Sequence, residues 1–195
     1  MNFVGPRWTI LKAYVVEAEA IFPMLATSSS ASNQVGAAIW EASSGSSVLL
    51  RYRTSAGTWN DSQSFTTASN KSVVGKRIAV DANGNAVATW GASWALGIEV
   101  SFHATDDNAW GNPDLISTAS GAEAKTRHPS VAINDNGEVA AIWVSRADSS
   151  SHWKILLRER ATNGTWSVPT VLYDDSTLVA SAAARLGRRG ALGGE

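Results

Sequence analysis

The feature that most constrains this chain is a tryptophan-ended segment that recurs at a period of about fifty residues. Ile78–Trp90 reads IAVDANGNAVATW and Val131–Trp143 reads VAINDNGEVAAIW, offset by 53 residues. A weaker copy, Asn33–Trp40 (NQVGAAIW), ends on the first Trp of the series Trp40, Trp90, Trp143. A second series, Trp8, Trp59, Trp110 and Trp166, advances in steps of 51, 51 and 56. Smaller marks keep the same period: Pro113 and Pro169 each follow a second-series Trp by three residues, and Pro23 stands two periods before Pro129. Seven of the nine Trp belong to these series, so only Trp94 and Trp153 stand outside the pattern.

Each unit reads as four short strands. Ile78–Val80 and Ala86–Trp90 flank Asp-Ala-Asn-Gly-Asn, which has the turn chemistry of a hairpin, with Gly84 free to take positive φ. Asn136-Gly137 does the same one unit later. The third strand is Val48–Arg53, repeated as Ile155–Arg160, with Val100–Ala104 in the middle slot. Its alternation of Leu50 and Tyr52 with Arg51 and Arg53 predicts one buried and one wet face. The fourth strand follows the second Trp, as Ser64–Thr67, Leu115–Thr118 and Thr170–Tyr173. Outside the repeats, Lys12–Ile21 reads as a short helix on propensity alone.

Four strands at this period are the signature of a propeller blade. The expected fold is all-β, a partial β-propeller of about three four-stranded antiparallel blades with a period of about 50–55 residues. The units resemble the tandem repeats of bacterial β-propellers of the sialidase-like and kelch-like kind, in which a V-A-V-D-x-N-G-N-A-x-A-x-W hairpin precedes a strand and a G-x-W-S-x-P segment. The resemblance spans roughly residues 25–173 and implies a propeller fold and a secreted or surface bacterial protein. Residues 1–24 read as the end of an incomplete leading blade, 25–74, 75–127 and 128–175 as three repeats, and 176–195 as a flexible tail. Three blades do not close a ring, since propellers have four to eight. A piece of a longer propeller is the first explanation. An arc that self-associates to complete a ring is the second, and an open stack the third.

Composition narrows the partners. Sixteen Lys+Arg against 17 Asp+Glu give a net charge of −1 with no basic block, so nucleic acid is not an expected partner. The absence of Cys excludes disulfides, thiol catalysis and Cys-ligated zinc. No stretch reaches the roughly 18 apolar residues of a membrane-spanning helix. Glu17 and Glu19 interrupt the only apolar stretch near the start, so no signal peptide is read there.

Chemistry-bearing residues are fewer. Trp94 and Trp153 are not demanded by the blade pattern, which makes them candidates for a sugar-stacking surface, although covering a blade edge is the commoner use of such aromatics. Arg51, Arg53, Arg158 and Arg160 recur at one place in the first and third units, where they either keep a strand face soluble or bind an acidic ligand. Carboxylates for glycoside hydrolysis exist in Glu41, Glu99, Asp106, Asp107, Glu123 and Glu159, with none set apart by its surroundings.

A sialidase, by that resemblance, would carry three arginines, a Tyr nucleophile with a Glu partner, and an Asp acid. Arg77-Ile78-Ala79 is similar to the Arg-Ile-Pro of such enzymes but lacks the Pro, and no Ser-x-Asp-x-Gly-x-x-Trp box occurs. No catalytic residue is assigned. Asp81–Asn85 and Asn134–Glu138 also resemble pieces of calcium loops, but a strand begins too soon after them, so turns are expected. His103, His128 and His152 have no metal-ligand spacing, and neither metal nor cofactor is expected. The expected function is a non-catalytic binding or interaction module for carbohydrate or protein. The alternative is a fragment or degenerate relative of a sialidase-like glycoside hydrolase.

Overall fold

The computed structural model describes residues 21–28, 30, 34–67, 72–92, 97–117, 125–146 and 152–174. They form twelve strands: β1 (Ile21–Thr27), β2 (Gly36–Glu41), β3 (Ser47–Arg53), β4 (Gln63–Thr66), β5 (Val73–Val80), β6 (Ala86–Ala92), β7 (Ile98–His103), β8 (Asp114–Leu115), β9 (Lys125–Ile133), β10 (Val139–Arg146), β11 (Lys154–Arg160) and β12 (Thr170–Asp174). Spatial order follows chain order within each of three four-stranded sheets, β1–β4, β5–β8 and β9–β12, and every pairing is antiparallel. The protein is therefore an all-β partial propeller of three blades, and none of the sheets is closed. The sheets begin at Ile21, Val73 and Lys125, a few residues ahead of the repeat boundaries read at 25, 75 and 128. Residues 12–20 of the helix read at Lys12–Ile21, and the tail at 176–195, lie outside the described residues, while Ile21 opens β1.

The hairpins form because short polar side chains close them locally. Asp81 accepts from the backbone N–H of Asn85 at 2.8 Å and from Asn85 Nδ2 at 2.7 Å, while Gly84 takes φ +93°. Asn134 Oδ1 accepts from the N–H groups of Asn136 and Glu138, both at 3.0 Å, around Gly137. Both Asp81 carboxylate oxygens and Asn134 Oδ1 are engaged by the turns themselves.

Packing between sheets follows one rule. Alternate residues of a strand point to opposite faces, so each sheet has a forward face toward the next sheet and a backward face toward the one before. Between sheets one and two, the forward Ala37, Ile39, Val48, Leu50, Tyr52 and Phe65 meet the backward Ala86, Ala88 and Trp90. Between sheets two and three, the forward Val87, Ile98, Val100 and Ile116 meet the backward Val139, Ala141 and Trp143. Trp90 and Trp143 thus point back into the preceding blade. The arginine-bearing face of β11, expected to be wet, is the packed one, because a blade must present a surface to both neighbours.

The first strands share a bulge. Phe22 (φ +52°), Gly75 (φ +78°) and His128 (φ +52°) occupy corresponding places in β1, β5 and β9, where the pairing register shifts. Left-handed backbone is easy for Gly and costs other residues roughly 1–2 kcal/mol. Two of the three units hold that conformation without glycine.

Candidate functional site

The strongest cluster gathers where β10 ends and β11 begins. Arg127 pairs opposite Val144, and Arg146 sits two residues beyond Val144, so both lie on the forward face of sheet three. Trp153 precedes β11 in the same alternation. The Arg127 guanidinium carbon lies 4.6 Å from the Trp153 ring centroid, and that of Arg146 lies 4.8 Å from it. The indole face attracts each cation, while the two cations repel one another. A guanidinium's planar fork also suits a carboxylate. Trp153 is half-buried, and what its indole leaves open is an aromatic surface of the kind that stacks on a sugar ring.

Trp153 was legible as a departure from the repeat; its two arginines were not. The available signal was that Arg127 stands where the other units have Val74 and Ile21, and Arg146 where they have Ser93 and Ser43. Trp94 lies outside the described residues. The four repeat arginines hold structure together. Arg51 Nε donates to Asn60 O and Arg158 Nε to Ser167 O, both at 2.6 Å, fixing the segment after the second-series Trp in each unit. Arg158 Nη1 also reaches Ile116 O of sheet two at 3.0 Å. Arg53 donates to Gln34 O at 2.9 Å, and the Arg160 guanidinium lies over the Phe102 ring at 4.8 Å. The structure therefore does not bring these four to Trp153.

The carboxylates are dispersed. Glu41 pairs with Lys76 at 2.8 Å, and Glu99 accepts from Trp90 Nε1 at 2.8 Å. Asp107 accepts from the N–H of Ala104 at 3.2 Å, Asp106 is exposed, and Glu123 lies outside the described residues. Glu159 and Glu138 line one open cavity of about 640 Å³ beside Trp166 and Arg160, at the opposite end of sheet three from Trp153. Among the described residues, no group of three or more His, Asp or Glu is placed to hold a metal ion, and no helix is long and apolar enough to cross a membrane.

His103 is buried between sheets one and two, stacked on Tyr52 with ring centroids 4.0 Å apart. Neither of its ring nitrogens has a hydrogen-bond partner, and burial pushes its pKa down from 6.5. Burial also pushes the Tyr52 phenol up, while its hydroxyl donates to Gly84 O at 2.8 Å. These groups join two blades and touch no open surface. No protein-family model matches this chain, and no curated protein is significantly similar to it.

Proposed function

We propose that the protein is a non-catalytic propeller-type binding module that takes a carboxylate-bearing carbohydrate at Trp153, Arg127 and Arg146. The observation that carries this reading is the placement of two guanidinium groups against one indole, a combination of anion recognition and ring stacking. The resemblance of the repeats to sialidase-like and kelch-like bacterial propellers supports it. Self-association that completes a ring of blades belongs to the same reading. A glycan array probed with the wild type, Trp153→Ala and Arg127→Ala tests it. Binding confined to acidic glycans and lost in both variants is the expected result; no signal on any glycan removes the carbohydrate ligand and leaves a protein partner.

One observation favours a second reading, a relative of the sialidase-like glycoside hydrolases: Glu138 and Glu159 share a cavity. Against it, Glu138 Oε2 accepts from Asn134 Nδ2 at 2.7 Å and serves the hairpin turn. Turnover of a fluorogenic sialoside that disappears in Glu159→Gln would reverse the order of the two readings.

A further inference from the structure

We propose that two copies of this chain associate head to tail, the backward face of sheet one in each copy docking on the forward face of sheet three in the other. The inference rests on the self-association part of the reading above and is independent of what Trp153 binds.

The two existing blade contacts define the rule. At one position, a forward residue stacks with a backward residue of the next sheet. Between sheets one and two this pair is Tyr52 and His103, and between two and three it is Phe102 and Arg160. By strand register, Glu159 is the forward counterpart of Tyr52 and Phe102, and Arg53 is the backward counterpart of His103 and Arg160. The next contact in the series therefore brings a carboxylate to a guanidinium. Glu159 is exposed, and Arg53 Nε is buried without a hydrogen-bond partner.

A second position agrees. Gln63 holds the N–H of Trp110 at 2.9 Å and its carbonyl at 3.0 Å across the first contact, and Asp114 accepts from Trp166 Nε1 at 3.0 Å across the second. The third pair in that series is Thr170 with Trp59, a hydroxyl that can accept and an indole that can donate.

The surfaces are in the state such a contact would relieve. Trp40 is half-buried, whereas Trp90 and Trp143 are buried. Ile142 is 39% exposed, and Leu172 of β12, at the place Phe65 holds in sheet one, is 53% exposed. Ala140 and Glu159, which line the open cavity of about 640 Å³, hold the forward places that Ala37 and Tyr52 hold in sheet one. Docking a forward face on a backward face is heterologous, and such contacts end only by closing a ring. Two chains of three sheets bring six, inside the four to eight of known propellers.

Light scattering after gel filtration tests this on the full chain, with circular dichroism to verify that each variant folds. The expected mass is twice that of the 20.5 kDa chain. Glu159→Arg and Arg53→Glu, each alone, place like charges in both contacts and weaken association by roughly tenfold or more. Mixing those two variants places opposite charges in both contacts and restores the double mass. Leu157→Glu gives single chains. A single-chain mass at every concentration up to the solubility limit overturns the proposal. So does a double mass unchanged by Glu159→Arg and Leu157→Glu, which leaves self-association standing through another surface. A double mass with a blank glycan array supports this proposal while removing the ligand at Trp153.

Discussion

Sheets one and three carry nearly the same forward face and meet opposite fates. Ile39 and Ile142 hold one position, as do Leu50 and Leu157. Ile39 is 0% exposed and Ile142 39%; Leu50 is buried and Leu157 half-buried. Only the neighbour differs, since sheet two covers the first face and none of the described residues forms a sheet over the second. The strand pattern specifies which residues share a face, and the adjacent blade decides whether that face is core. Sheet two shows the converse: covered on both sides, it buries Thr89, Glu99, Ser101 and His103. Thr89 donates to Glu99 O at 2.9 Å, and Ser101 to Gly111 O at 2.7 Å.

The sharpest way to break this comparison is to truncate the same residue in both sheets. Leu50→Ala leaves a cavity between two blades and is expected to cost about 2–5 kcal/mol. Leu157→Ala, read in urea at a dilution where chains are separate, is expected to cost less than about 1 kcal/mol. Equal losses would mean that the forward face of sheet three is covered after all.

A pH series sharpens the covered side. His103 has its pKa lowered by burial, so the unfolded chain binds its proton more readily than the folded one. Stability contributed by the neutral ring is complete above pH 6.5 and is lost as pH falls below it, by at most about 1.4 kcal/mol per pH unit. His103→Phe is expected to flatten that part of the profile while keeping the stack on Tyr52. A profile unchanged by the substitution would assign the acid sensitivity elsewhere.

The bulges give the smallest effects. Gly75→Ala forces a side chain into left-handed backbone and brings its Cβ within 3.3 Å of Pro129 Cδ, so a loss of about 1–2 kcal/mol is expected in thermal melts. His128→Gly at the corresponding place relaxes that strain and is expected to stabilise by up to about 1 kcal/mol, the unfolded chain's added freedom offsetting part of the gain.

What the sequence made legible was local. Asp81, Asn85 and Gly84 specify their turn without help from the rest of the molecule, and the Trp series exposes the period. What it concealed depends on partners far along the chain. The bulge at Phe22 and His128 carries no glycine, and only alignment with Gly75 hints at it. Arg127 and Arg146 meet Trp153 because β9 and β10 pair, an event that spacing along the chain does not encode. The direction of the arginine face was likewise hidden, since alternation separates two faces without saying which one a neighbour will cover.

The bulged first strands bear on how the molecule behaves in a crowded solution. β1, β5 and β9 are edge strands, each with a row of backbone donors and acceptors on its free side. A positive φ interrupts each row, and Pro23 and Pro129 remove an N–H from β1 and β9 immediately afterwards. Edges broken in this way are poor templates for an incoming strand, so the side on which the first strands meet resists the backbone-to-backbone pairing that seeds fibrils. Contacts between molecules are thereby steered to side-chain surfaces, where shape and charge can choose the partner.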